Sequence, residues 1–245
     1  MPIPSRARRR MLATLGALGV APFALRDPLV ATAAAATLPA ASCVLSPAMT
    51  DGPFFVDAQL HRSDLTTGAT RVGVVKGSPL VLHVDLASMQ TAGCLPVAGA
   101  QVDVWHADAS GDYSNAAAGP GQPDTLGQMF LRGYQLSDPN GRVTFRTIYP
   151  GWYPGRTIHV HVKVRQFNAA GNATSEFSTQ LYFDDAASDA VMALAPYNTR
   201  GPRTVRNGRD FIFQSGAVAL VKLGTPADGS RGHVGTVALG LRRPA

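Results

Sequence analysis

Cysteine is nearly absent: the 245 residues hold only Cys43 and Cys94. Two isolated thiols argue against a thiolate-held metal cluster. In an oxidising compartment their simplest use is one disulfide pinning the start of the mature chain to its body. No apolar run is long enough to cross a membrane as a helix. No internal repeat recurs, and no break in composition marks a second domain. An excess of one charge is also missing once the N-terminus is set aside. The whole chain carries +6, but residues 1–36 include Arg6, Arg8, Arg9, Arg10, Arg26 and Asp27; beyond them 17 basic and 15 acidic side chains leave +2. So even a balance leaves no electrostatic footprint for a nucleic-acid partner.

What stands at the N-terminus is a targeting pattern. Arg8-Arg9-Arg10-Met11-Leu12 leads into a short apolar stretch from Ala13 to Leu25, and small residues with several A-x-A sites follow at 31–36. A charged start, a short apolar middle and a small-residue exit make an export signal over 1–36. The Arg8-Arg9 pair favours a twin-arginine signal over an ordinary secretory one with surplus arginines. The expected location is periplasmic or extracellular. Cys43 follows a poor lipoprotein box, well past the apolar run, so lipid anchoring there is not expected.

Residues 37–245 are enough for one well-buried domain. Apolar and polar residues alternate over 80–86, 100–106, 142–148 and 157–165, with shorter strand-like runs at 178–183, 210–213 and 234–239. Gly, Pro, Asn and Asp punctuate the gaps, as at Asp138-Pro139-Asn140-Gly141. Many short strands with such turns predict an all-β chain: a single β-sandwich with long loops and little helix. One short Ala-rich helix is expected over 186–194.

Chemistry concentrates between Tyr153 and His161. These nine residues hold a Tyr, Arg156 and the pair His159 and His161. In a strand, residues two apart share a face, so the two imidazoles project side by side. An arbitrary His-x-His is more often a pair of packed histidines. A cupin-type site needs a Glu four or five residues after the second His, where this chain has Arg165 and Gln166. A mixed Tyr/His metal site is the third reading, with Tyr153 on a Pro/Gly turn ahead of the strand. Free Tyr titrates near 10, so a phenolate ligand needs a strongly Lewis-acidic ion. Fe(III) fits that demand, whereas Zn(II) usually takes His, Cys and carboxylates. Tyr113, on a Gly turn after the 100–106 run, is a candidate second phenol; alone it reads as a loop aromatic. His83 and His106 lie within strand runs and are expected to be packed or hydrogen-bonded. Arg132 is expected to be a paired structural arginine.

The ordered blocks at 50–55, 104–115, 130–135, 141–145, 147–161 and 179–183 together resemble the intradiol ring-cleavage dioxygenases, the family of catechol and protocatechuate dioxygenases. The resemblance implies a non-haem Fe(III) held by Tyr113, Tyr153, His159 and His161. Tyr113 and His159 match the equatorial positions, Tyr153 and His161 the axial ones. It implies catalytic roles for Arg156, Tyr153 and Gln180. The expected partners are a catechol-type aromatic and O2, and the expected product is a cis,cis-muconate-type diacid. The substrate pocket is expected to include Gly52, Pro53, Phe54 and Trp152. Two departures stand out: Thr157 replaces a frequent Pro, and Asp51-Gly52-Pro53-Phe54 stands where the family has Glu-Gly-Pro-Tyr. The rival reading is an exported ligand- or carbohydrate-binding sandwich without ring-cleavage activity.

Overall fold

The computed structural model describes residues 44–67, 75–90, 93–213 and 219–242. The expected export signal and Cys43 lie outside the described residues. Cys94 is buried.

The first sheet is built on β1 (Pro79–Gln90). β1 pairs in parallel with β10 (His233–Leu241) on one side. On the other it pairs antiparallel with β5 (Arg142–Ile148) along its first half and with β2 (Gly93–Pro96) along its second. β9 (Lys222–Gly224) extends the β10 edge. The second sheet runs in the order β4 (Arg132–Leu136), β3 (Gln101–Trp105), β6 (His159–Phe167), β7 (Ala173–Tyr182) and β8 (Ala219–Leu220). Side chains of the two inner faces form one core: Leu80, Leu82, Val84 and Leu86 from β1 pack in the same cluster as Val102, Val104, Val160, Val162 and Val164. This is the expected β-sandwich.

The alternation that fills the core also sets the outward faces. On β1, His83 faces Thr144 of β5, and its Nδ1 lies 2.8 Å from the Thr144 hydroxyl. Asp85 faces Arg142 and accepts two hydrogen bonds from its guanidinium, at 2.6 and 2.8 Å. On β6, Val160, Val162 and Val164 point into the core, so His159, His161, Lys163 and Arg165 line the opposite face. That face is not left to solvent. The segment 50–57 and the 26 residues between β3 and β4 lie over it, and His161 is only 1% exposed. Lys163 bonds Asp51 and Glu176, and Arg165 bonds Asp57 and Asp103, so β6 itself clamps the covering segment.

Among the described residues the one α-helix, α1, is Asp185–Met192, capped by Asp184, whose carboxylate accepts from the N–H groups of Ala186 and Ala187. It ends just before the predicted limit, near Pro196, which disfavours helix upstream. The predicted strand at 210–213 does not form. The Asp210 carboxylate takes the N–H groups of Ile212 and Phe213, at 2.8 and 3.0 Å, and removes the donors a ladder needs.

Candidate functional site

The register of the second sheet brings the candidate residues together. Trp105, His161 and Gln180 stand side by side on neighbouring strands, and His159 stands beside Tyr182. The indole of Trp105 stacks flat on the His161 imidazole, with ring centres 4.9 Å apart at 6°. Gly52 packs from above. With φ +71°, a backbone conformation that favours glycine, a Cβ there would lie 3.1 Å from Cε1 of His161, so a larger residue would need the ring to give by a few tenths of an ångström.

His159 is fixed by its own backbone. Its Nδ1 donates to the carbonyl of Thr157 at 2.7 Å, which leaves Nε2 with a lone pair. Three further donor atoms converge on that Nε2: Tyr113 Oη at 3.3 Å, Tyr153 Oη at 3.2 Å and His161 Nε2 at 3.2 Å. Two donors held roughly 2.1 Å from one ion are about 3.0 Å apart at right angles and about 3.4 Å apart at the tetrahedral angle. The three distances to His159 Nε2 thus match those between atoms that share one coordination sphere. Among the described residues no three His, Cys, Asp or Glu side chains form a ligand group, so a metal bound at this site has to take the phenol oxygens.

The electrostatics agree. Burial, reinforced by Arg156, pushes the pKa of His159 down to about 3. Burial, then the neighbouring His159, holds His161 well below the usual range. Both imidazoles are therefore neutral and able to ligate. Burial, then Tyr153, pushes the Tyr113 phenol well up, and burial raises Tyr153 against the opposing pull of Arg156. Two such phenols release their protons only to a strongly polarising ion, so the residues present fit a hard trivalent metal.

Tyr113 comes from the long β3–β4 connection, and that loop is tightly held. Its N–H donates to Gln122 Oε1 at 2.9 Å, and its carbonyl accepts from Gln122 Nε2 at 3.0 Å and Thr125 Oγ1 at 2.6 Å. Its ring stacks on Phe54 with centres 4.3 Å apart. Arg132 ties the two together, donating to the Ser114 hydroxyl, the Ser114 carbonyl and the Phe54 carbonyl. It is structural, as expected, but its partners are neutral oxygens. Burial lowers its pKa only to about 10, so it stays cationic.

Arg156 reaches the cluster from the side. Its NH1 lies 3.5 Å from His159 Nε2. Its NH2 donates to Gln180 Oε1 at 2.6 Å, and its Nε to Asp210 Oδ2 at 2.8 Å. Tyr182 also donates to Gln180 Oε1, at 2.9 Å. Asp210 and Gln122 were not legible as site residues. Asp210 sits 54 positions from Arg156, in a loop without a local motif.

A cavity of about 580 Å³ opens onto this cluster, lined by Gly52, Pro53, Phe54, Tyr113, Tyr153 and Arg156 among others. Trp152, expected on its wall, does not line it. Its indole is buried in the main core, its N–H donates to the Gly201 carbonyl at 3.1 Å, and Arg200 lies over its ring. Phe211 and Ile212, from the turn built by Asp210, line the cavity instead. His83 and His106 take no part: both nitrogens of His106 are bound, to the Ala107 carbonyl and the Thr147 hydroxyl.

Comparison with known proteins points the same way. A family model described as Dioxygenase matches residues 50–196. The chlorocatechol 1,2-dioxygenase of Pseudomonas sp. (strain P51) is 28% identical over 172 residues, covering 61% of this chain and 61% of that protein. The protocatechuate 3,4-dioxygenase beta chain of Burkholderia cepacia is 30% identical over 155 residues, covering 59% and 60%. The chain thus spans about three fifths of the length of these curated relatives. An intradiol ring-cleavage dioxygenase from Tetranychus urticae of known structure superposes with a TM-score of 0.66 at 31% identity, over 82% of this chain and 94% of that one.

Proposed function

The chain belongs to the intradiol ring-cleavage dioxygenase family, and on that premise we propose that it opens the ring of a catechol-type ortho-diol between the two hydroxylated carbons with O2, giving a cis,cis-muconate-type diacid. One observation carries the reading: Tyr113 Oη, Tyr153 Oη and His161 Nε2 all converge on the lone pair of His159 Nε2. Tyr113, Tyr153, His159 and His161 would hold a non-haem Fe(III), which supplies Lewis-acid activation of the diol.

The remaining steps belong to side chains of this protein. Tyr153 lines the cavity, so its Oη, having given up its own proton as a ligand, would be placed to take one proton from the entering diol and become a neutral phenol. Arg156 directs NH1 at the ligand cluster, where it stabilises negative charge developing on the ring. Asp210 and Gln180 hold the other two corners of that guanidinium and fix its plane. Phe54, stacked on Tyr113, forms an apolar wall on one side of the site. Export through the Arg8-Arg9 signal, and a disulfide from Cys43 to Cys94, are parts of the same proposal.

The test is oxygen consumption by the iron-loaded protein with a panel of catechols, the visible spectrum being recorded first. Uptake of one O2 per catechol with formation of a muconate-type product is expected. A colourless protein that takes up no iron and no oxygen returns the chain to the class of exported binding modules.

A further inference from the structure

Beyond the ring-cleavage chemistry lies the choice of catechol, and the cavity wall bears on it directly. Among the described residues that line the cavity, Arg156 is the only cation. Two of its three nitrogens are committed, Nε to Asp210 and NH2 to Gln180 and Tyr182, and NH1 is turned to the ligand cluster, where the reacting oxygens use it. Gln122, another polar liner, spends both ends of its amide on backbone groups of Tyr113 and Pro123. Apart from Thr50, whose hydroxyl accepts from the Gly52 N–H, the side chains left to meet a ring substituent are apolar: Pro53, Phe54, Pro120, Pro154, Phe211 and Ile212.

Phe211 is the unusual member. It is 80% exposed, the most exposed large apolar side chain among the described residues. Loose chain does not account for that exposure. The Asp210 carboxylate ties down the backbone on both sides, accepting from Thr157 N–H at 2.7 Å and from Ile212 and Phe213 N–H. The same oxygen that accepts from Thr157 pairs with Arg156, and the Arg156 guanidinium lies 5.4 Å from the Phe211 ring centre. One carboxylate therefore sets the active-site arginine and presents an aromatic ring at the rim. An apolar ring held out in water and aimed at a cavity is a contact surface for an apolar ligand.

We infer that this site selects uncharged catechols bearing apolar substituents over carboxylated ones, and that Phe211 is the residue that decides it. The inference rests on the ring-cleavage reading for the word catechol. A carboxylate brought against Phe54, Phe211 and Ile212 loses its water and meets only Arg156, whose charge is already paired with Asp210, whereas a methyl or larger alkyl group loses nothing and covers Phe211.

The test compares 4-methylcatechol with protocatechuate on the full iron-loaded protein, by calorimetric titration under anaerobic conditions and by oxygen uptake. The dissociation constant for 4-methylcatechol is expected to be at least tenfold lower. Phe211→Arg is expected to shrink that ratio tenfold or more, acting through protocatechuate affinity, with iron content unchanged. Phe211→Ala is expected to weaken 4-methylcatechol binding several-fold while leaving protocatechuate binding as it was. Equal affinities, a preference for protocatechuate, binding of neither, or a ratio that Phe211→Arg does not move overturns the inference. Failure of the chemistry reads differently: if both ligands bind and neither is consumed, the ring-cleavage proposal falls and the affinity ratio still decides selectivity.

Discussion

Asp210 and Arg156 form a buried pair, Oδ2 to Nε at 2.8 Å, with side-chain exposures of 0% and 9%. The carboxylate is the anchor of the active-site loop: it holds the arginine, the Thr157 N–H and the turn that carries Phe211.

Removing that anchor is costly. Asp210→Ala leaves a buried guanidinium without its counter-charge and is expected to cost about 3–5 kcal/mol of stability in denaturant unfolding. It is also expected to lower turnover with retention of iron. Arg156→Ala is expected to do the same to turnover; loss of iron from it makes Arg156 structural. The pair also sets an acid limb. Burial alone raises the Asp210 carboxyl, but the hydrogen bond from Arg156 and those from Thr157 and Ile212 outweigh it, and the pKa falls below its ordinary 3.8. A carboxyl depressed in the folded state stabilises fully above the unfolded value and loses that contribution as pH falls below about 4. Asp210→Asn is therefore less stable at neutral pH and shows a flatter decline below pH 4 than the parent. Parallel acid-unfolding curves contradict this.

Tyr113→Phe removes one phenol oxygen and keeps the ring stacked on Phe54. The iron-loaded parent is expected to be red-brown from phenolate-to-iron charge transfer. The variant is expected to have a weaker, shifted band and less iron at equal total protein. An unchanged visible spectrum removes Tyr113 from the ligand set.

Gly52→Ala adds a methyl group 3.1 Å from the His161 ring at a backbone φ of +71°. The left-handed conformation alone costs roughly 1–2 kcal/mol for a residue with a Cβ. The imidazole also has to shift by a few tenths of an ångström, so iron occupancy is expected to drop along with the melting temperature. Full iron content with only the stability loss means that the ring has room to move.

Arg132 donates to three neutral acceptors while buried. Arg132→Met leaves the carbonyls of Ser114 and Phe54 without that donor and is expected to cost about 2–5 kcal/mol. Arg132→Lys restores the charge but not the fork, and is expected to recover less than half of the loss. Thermal unfolding of the three proteins measures both steps. Full recovery by Lys shows that charge alone matters here.

Export is tested apart from the fold. Arg8→Lys with Arg9→Lys is expected to hold the precursor in the cytoplasm, read by fractionation and mass. Undiminished export of the double variant sinks the twin-arginine reading and leaves the ordinary secretory one.

Much of the site was legible because its signals are local. The period of two over 157–165 places Val160, Val162 and Val164 on one face and His159 and His161 on the other, whatever they pack against. The same alternation gave β5 and β10 near their observed limits and β1 four residues short of its end. Where the reading went astray, a side chain competed with the backbone. The 210–213 run has the composition of a strand, but Asp210 captures the N–H groups that pairing requires. Trp152 has the residue type of a pocket wall, but the core takes its large apolar ring.

Composition and short-range pattern thus determined that this is a sandwich of short strands with two imidazoles side by side and phenols within reach in the chain. Only the tertiary structure decided that Tyr113, 46 positions before His159, arrives at its Nε2, and that Asp210, 54 positions after Arg156, holds the arginine. Side-chain periodicity is a property of neighbouring residues and is written locally. Closure of long loops depends on which distant surfaces satisfy each other's hydrogen bonds and bury each other's rings, and no local pattern records that choice.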